Sequence, residues 1–230
     1  MNFCDDYLFV TLGKSTSWVE VIARRGLKWA ANLRSKAITP ELVRWLEDNG
    51  CVEVRIYMES GNPEILCNAL DKGLTIEDHL RAAHALAESS IGVSAQFIAN
   101  WPGETRETVL DTMRFIDELS RINPRMNFNF GCYIPMPGTP IYEDALSEGF
   151  QAPSSTEGWA RIFEHPYRFR NFTMQEMEAI ESLFLLLYKS PSQSWPMRRL
   201  IKPFLQRKWR KGNFRRFAAG SILKRHIALP

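Results

Sequence analysis

Strand-like and helix-like segments alternate along residues 1–150 at about 25–35 residues per unit, and this rhythm constrains the fold more than any other feature of the chain. MNFCDD (1–6) reads as a strand, SWVEVIARRG (17–26) as a short helix and LKWAANLR (27–34) as a second strand. TPELVRWLEDNG (39–50) reads as a helix, with Thr39 as its N-cap, Pro40 in the first turn and Gly50 as its stop. CVEVRIYMES (51–60) alternates with period two, as a third strand should; NPEILCNAL and TIEDHLRAAHALAESS follow as helices, the second capped by Thr75. GVSAQFIANW, ETRETVLDTMRFIDELSRI, MNFNFGCYIP and TPIYEDALSEGF complete the series as strand, helix, strand and helix. Five strands joined by helices at this spacing predict right-handed βαβ crossovers, hence a parallel α/β sheet or barrel.

In such folds ligands gather at the carboxyl ends of the strands. Polar and glycine-containing oddities fall at those ends: Asp5 and Asp6, then Arg34, then ESGNP (59–63), NWPGET (100–105) and PMPGTP (135–140). Turn and capping chemistry accounts for Gly61, Pro63 and Thr105, but poorly for Asp5, Asp6, Arg34 and Glu59. Adjacent strand residues face opposite ways, so at most one of the two aspartates points to the sheet's inner side. On the third strand, Val52, Val54, Ile56 and Met58 are expected beneath the helices, and Glu53, Arg55, Tyr57 and Glu59 on the inner face. That inner charge fits either a ligand cavity or a structural pairing of Arg55 with Glu53 or Glu59.

Beyond residue 150 the alternation stops. Residues 173–189 read as a helix with a strongly apolar side, and residues 195–230 hold eleven Lys or Arg and no Asp or Glu. Residues 1–194 keep the other 18 of 29 basic residues against all 26 acidic ones, a net of −8. The chain thus divides into 1–150, a parallel α/β sheet or barrel, and 151–230, a helical basic extension. The extension suits anionic lipid headgroups, nucleic-acid phosphates or the acidic body of its own chain. The longest apolar run, LFLLLY (183–188), is too short to span a bilayer, and no secretory signal is read at the N-terminus. Cys4, Cys51, Cys67 and Cys132 are scattered, which predicts buried free thiols in a reducing cytoplasm. His79 and His84, five apart on one helix, are expected to pack or be solvated rather than to bind metal.

Taken in order, Phe3, Asp5, Asp6 and Phe9, Trp29 with Arg34, Glu59–Leu66 with Lys72–Gly73, Pro102–Thr105 and Pro135–Pro140 resemble the radical SAM enzymes that carry an N-terminal cobalamin-binding domain. The resemblance covers residues 2 to about 150 and implies a partial (β/α)6 barrel, with these strands as its second to sixth. It implies S-adenosylmethionine and a [4Fe–4S] cluster as cofactors, with cobalamin in the full-length protein. It further implies reductive cleavage of S-adenosylmethionine to a 5′-deoxyadenosyl radical, often followed by methyl transfer to an unactivated carbon. By the same implication Asp5, Asp6, Arg34, Glu59, Ser60, Asn100, Pro102 and Gly103 hold the cofactor, while Tyr133, Pro135, Pro137 and Gly138 lie near an unknown small-molecule substrate. One of the aspartates would meet the cofactor's ammonium group; Ser60 would sit near the ribose or simply form a turn. The family commonly has Gly where Tyr57 and Asn100 stand. Its CxxxCxxC cluster loop has no counterpart here, so no metal ligand is expected in this chain. The first barrel strand, that loop and the cobalamin domain are expected upstream of Met1, and the chain alone is expected to be inactive. The alternative is a non-catalytic α/β module that binds a partner, a membrane surface or nucleic acid through residues 195–230.

Overall fold

A computed structural model of the chain describes residues 1–3, 17–69 and 73–162, together with Ile180 and Arg207. Four parallel strands, β1 (Trp29–Leu33), β2 (Cys51–Glu59), β3 (Gly92–Ala99) and β4 (Asn127–Cys132), form one sheet in sequence order. Helices α1 (Ser17–Arg24), α2 (Pro40–Asp48), α3 (Ile76–Ala87) and α4 (Arg106–Ile122) precede the four strands or link them, and α5 (Pro140–Ser147) and α6 (Thr156–Ala160) follow. Strands laid side by side in chain order, each joined by a crossover helix, are the α/β arrangement of a partial barrel, and the sheet is not closed. The strand expected over MNFCDD begins as pairing along the outer edge of β1. Asn2 bridges Ala30 in parallel, and the Phe3 N–H donates to the Ala30 carbonyl at 2.9 Å. Cys4, Asp5, Asp6, Phe9 and Lys72, the helix expected at 173–189 and nearly all of the basic extension lie outside the described residues.

Threonine caps start the linking helices where the sequence places them. The Thr39, Thr75 and Thr105 hydroxyls accept the Leu42, Asp78 and Thr108 N–H groups at 3.2, 3.2 and 3.3 Å. Asp78 and Thr108 reach back to the cap N–H, closing two capping boxes. These helices bury one side against the sheet: Val54, Ile56 and Met58 of β2 meet Val93, Ala95 and Phe97 of β3 in a core that also takes Met113, Phe115 and Ile116 from α4. Two expectations need correction. Val52 is 47% exposed, because the register shift that pairs Trp29 with Cys51 and Ala30 with Glu53 leaves it as the extra, unpaired residue of a bulge. Glu59 does not continue the inner row, because the register shifts between Tyr57 and Glu59 and sets Glu59 against Phe97. Arg55 does pair with Glu53, its Nε 3.3 Å from the carboxylate.

His79 is a packing residue, as its spacing suggested, whereas His84 is exposed. His79 is fully buried on α3, its Nδ1 2.6 Å from the Ser35 hydroxyl in the short turn after β1. Burial lowers the imidazole to about 4, against the opposing pull of Asp78. The native state therefore holds it neutral, while the unfolded chain takes up a proton below about 6.5. Its contribution is complete above that pH and is lost as pH falls toward 4, at a cost on the order of 2 kcal/mol by pH 5. Between pH 7 and pH 5, His79→Gln should gain stability relative to wild type in its urea midpoint; a pH dependence identical to that of wild type would contradict the assignment.

Candidate functional site

Because all four strands run the same way and in register, their carboxyl ends form one continuous rim. Leu33 is level with Ile56, and Ala99 with Cys132, so the segments that follow stand next to one another. Arg34 leaves β1 half-buried and starts the short turn Ser35–Ala37. Glu59 ends β2 with φ +65°, and Asn100 follows β3 with φ +82°. Among the described residues these are the two non-glycine positions with positive φ, and they sit at neighbouring strand ends. Such conformations cost about 1–3 kcal/mol and persist only where the surroundings enforce them. Asparagine tolerates this region better than most residues, which suits Asn100 to its left-handed position.

The enforcing groups are visible. The Glu104 carboxylate is buried under the turn and accepts the N–H groups of Asn100 and Trp101. The Glu104 N–H donates to the Trp101 carbonyl at 2.9 Å. Burial outweighs these bonds and pushes the Glu104 carboxyl up to about 8. On the β2 side, Ser60 is fully buried, its hydroxyl 3.1 Å from that of Thr112 on α4 and accepting the Asn62 N–H at 3.1 Å. The Gly61 N–H donates to Thr112 Oγ1 at 3.0 Å. Asn62 Nδ2 donates to Asp111 at 2.9 Å. The ESGN segment is thus clamped onto α4, and the Ser60 hydroxyl is occupied with turn and helix groups.

Pro102 is buried, and Gly103 is exposed, donating its N–H to Glu148 at 2.6 Å. Tyr133 follows β4 with its N–H on the Ala99 carbonyl at 2.7 Å. Its ring stacks on Trp101 with centroids 4.7 Å apart, so it braces the rim and presents little surface. Pro135 is buried beside it, while Pro137 and Gly138 form the exposed loop beyond. The rim therefore brings together Arg34, Glu59, Ser60, Asn100, Pro102, Gly103, Tyr133 and Pro135. The sequence reasoning quoted Glu104 and Trp101 within their motif without giving them roles. A carboxylate five residues past a strand end, beyond a Pro-Gly turn, was the available signal for Glu104.

A cluster of iron and sulfide needs thiolates that converge, and the described cysteines do not fit one. Cys51 opens β2 and Cys132 closes β4, so they lie at opposite ends of the parallel strands. Burial pushes the Cys51 thiol up to about 12, where it stays protonated. Cys67, expected to be buried, is exposed in the helical turn Ile65–Ala69. Among the described residues no three His, Cys, Asp or Glu side chains converge as a metal site. Among those residues, too, no helix is long and apolar enough to cross a membrane.

The sequence model of the radical SAM superfamily matches residues 15–116, the span that carries three of the four strands and the left-handed strand ends. Over those residues the chain is similar to the radical SAM superfamily. An uncharacterized methyltransferase of Pyrococcus horikoshii is 23% identical over 194 residues, which are 83% of this chain and 41% of that protein. The bacteriochlorophyllide d C-12(1)-methyltransferase of Chlorobaculum tepidum is 26% identical over 146 residues, 62% of this chain and 31% of the relative. The chain thus spans well under half the length of these relatives. Among solved structures, the radical S-adenosylmethionine methyltransferase TsrM from Kitasatospora setae, with cobalamin and a [4Fe–4S] cluster bound, superposes with a TM-score of 0.49 at 22% identity, over 59% of this chain and 26% of its own.

Proposed function

We propose that the rim receives the nucleoside and amino-acid portions of S-adenosylmethionine, and that the chain is the positioning part of a cobalamin-type, methyl-transferring radical SAM enzyme. The observation that carries this reading is the pair of left-handed non-glycine residues, Glu59 and Asn100, at adjacent strand ends. Strain of that kind is retained where backbone must be presented to a ligand. The relatives named as methyltransferases support the type. S-adenosylmethionine supplies methyl or radical chemistry when bound beside a reduced cluster. This chain's own residues bind and orient: Glu59 offers a nearly enclosed carboxylate, and the left-handed backbone at Asn100 shapes the rim.

Equilibrium dialysis with labelled S-adenosylhomocysteine tests the reading. Saturable binding is expected, retained in Asn100→Gly, which keeps the left-handed backbone, and weakened at least about tenfold in Asn100→Val, whose branched side chain resists it. Equal binding by both variants, or none by the wild type, would contradict it. The cluster is proposed to require thiolates other than those of this chain; anaerobic incubation with iron and sulfide should leave no stoichiometric [4Fe–4S] absorbance, and a full complement would overturn that.

A further inference from the structure

Parallel pairing sorts the strand residues onto two faces, and the face away from the helices has an unusual composition. Arg55, Ser94 and Asn127 share one row, and Tyr57, Gln96 and Asn129 share the next row toward the rim. Barrel interiors that are closed by packing are dominated by branched aliphatic side chains; these two rows hold carboxamides, a hydroxyl, a phenol and a neutralised cation, with Ile98 one row nearer the rim, level with Gly131. Arg55 is held by Glu53 at 3.3 Å and donates to Asn2 Oδ1 at 3.0 Å, so the surface carries no free positive charge at that point. The Asn129 amide donates to the Ser94 hydroxyl at 2.8 Å, leaving its carbonyl oxygen to other donors. Asn127 Oδ1 is buried and has no hydrogen-bond partner among the described residues. The Tyr57 ring is 42% exposed beside Gln96. Toward the rim β4 offers Gly131, where an added Cβ would meet the Gln96 amide nitrogen at 4.0 Å, so that amide lies over the glycine.

These groups suit one chemistry. A carboxamide presents a donor and an acceptor side by side, the complement of two neighbouring hydroxyls, each of which can donate and accept. An exposed aromatic ring offers a flat apolar surface for the C–H face of a sugar. Fatty chains and flat macrocycles would leave the remaining amide groups without partners, which disfavours them. We propose that this inner face is the substrate floor of the site and that the substrate is a neutral carbohydrate-class molecule. The inference rests on the reading of the rim as the nucleoside site, since the same strands lead from this face up to the rim.

Saturation-transfer NMR on the full chain, with N-acetylglucosamine and methyl α-glucoside as probes and palmitate as the apolar comparison, tests it. Transfer to the sugar ring protons is expected, reduced at least about fivefold in the double variant Gln96→Leu/Asn129→Leu, while S-adenosylhomocysteine binding stays at the wild-type level. If that double variant does not fold, Tyr57→Ala, a change at an exposed ring, provides the same comparison. Absent sugar transfer with retained S-adenosylhomocysteine binding overturns the carbohydrate inference alone; loss of both ligands in the wild type overturns the rim reading with it. Sugar transfer that survives the substitutions, or stronger transfer to palmitate, also overturns it.

Discussion

Gly61→Ala is expected to destabilise the protein by about 3 kcal/mol. The backbone at Gly61 is not left-handed, so alanine is conformationally acceptable there and the cost arises from contact alone. An added Cβ would lie 2.6 Å from Phe115 Cβ and 2.7 Å from Thr112 Cα. Neither atom is the end of a flexible side chain, so either α4 or the turn after β2 must move. The Thr112 hydroxyl holds both Ser60 and Gly61, and the same shift would release those bonds and with them the left-handed Glu59. The substitution should therefore lower the urea midpoint at an unchanged slope and weaken S-adenosylhomocysteine binding together. A destabilisation below about 1 kcal/mol would show that the close approach of turn and helix is not maintained in solution.

Glu104→Ala is expected to cost a similar amount, about 3–4 kcal/mol, because it strands the buried Asn100 and Trp101 N–H groups. Glu104→Gln separates the hydrogen bonds from the charge, since it keeps an acceptor oxygen. With its native carboxyl at about 8 and its unfolded one near 4.5, the folded protein binds more protons than the unfolded chain between those values. Stability contributed by this group therefore falls as pH rises from 4.5 to 8, on the order of 3 kcal/mol by neutral pH. His79 slopes the other way over part of the same range, losing stability as pH falls from 6.5 toward 4. The two effects oppose each other in the wild type. Each should emerge when the other is removed: Glu104→Gln should grow more acid-sensitive, and His79→Gln more alkali-sensitive. Identical pH profiles for wild type and both variants would contradict the buried placement of both groups.

Much of the fold was legible because its signals are local. The caps at Thr39, Thr75 and Thr105 and the period-two run of β2 each act within a few residues, and the βα rhythm orders the strands. The rim was legible as a set of odd strand ends, but not its internal wiring. Period two carries Glu59 to the inner face only if the strand stays regular, and the register shift before it is imposed by packing against β3. Ser35 meets His79 across 44 positions, and Ser60 meets Thr112 across 52; no spacing rule reaches that far. Trp101 and Tyr133 look like neighbouring motif residues on separate strands until the sheet lays one ring on the other. The short helix Thr156–Ala160, capped by Ser155, falls in a stretch too brief to show a period. Its Trp159 packs edge-on against Phe150, with ring centroids 6.4 Å apart, so packing continues past residue 150.

The most direct measurement is a backbone amide NMR titration of the full chain with S-adenosylhomocysteine. The predicted result is a set of saturable shifts at 34–35, 59–62, 99–104 and 133–138, four stretches far apart in sequence that share one edge of the sheet. Shifts confined to the groove of about 800 Å³ on the helix side, where Leu66, Leu74 and Phe115 lie, or no shifts at all, would contradict a nucleoside site on the rim.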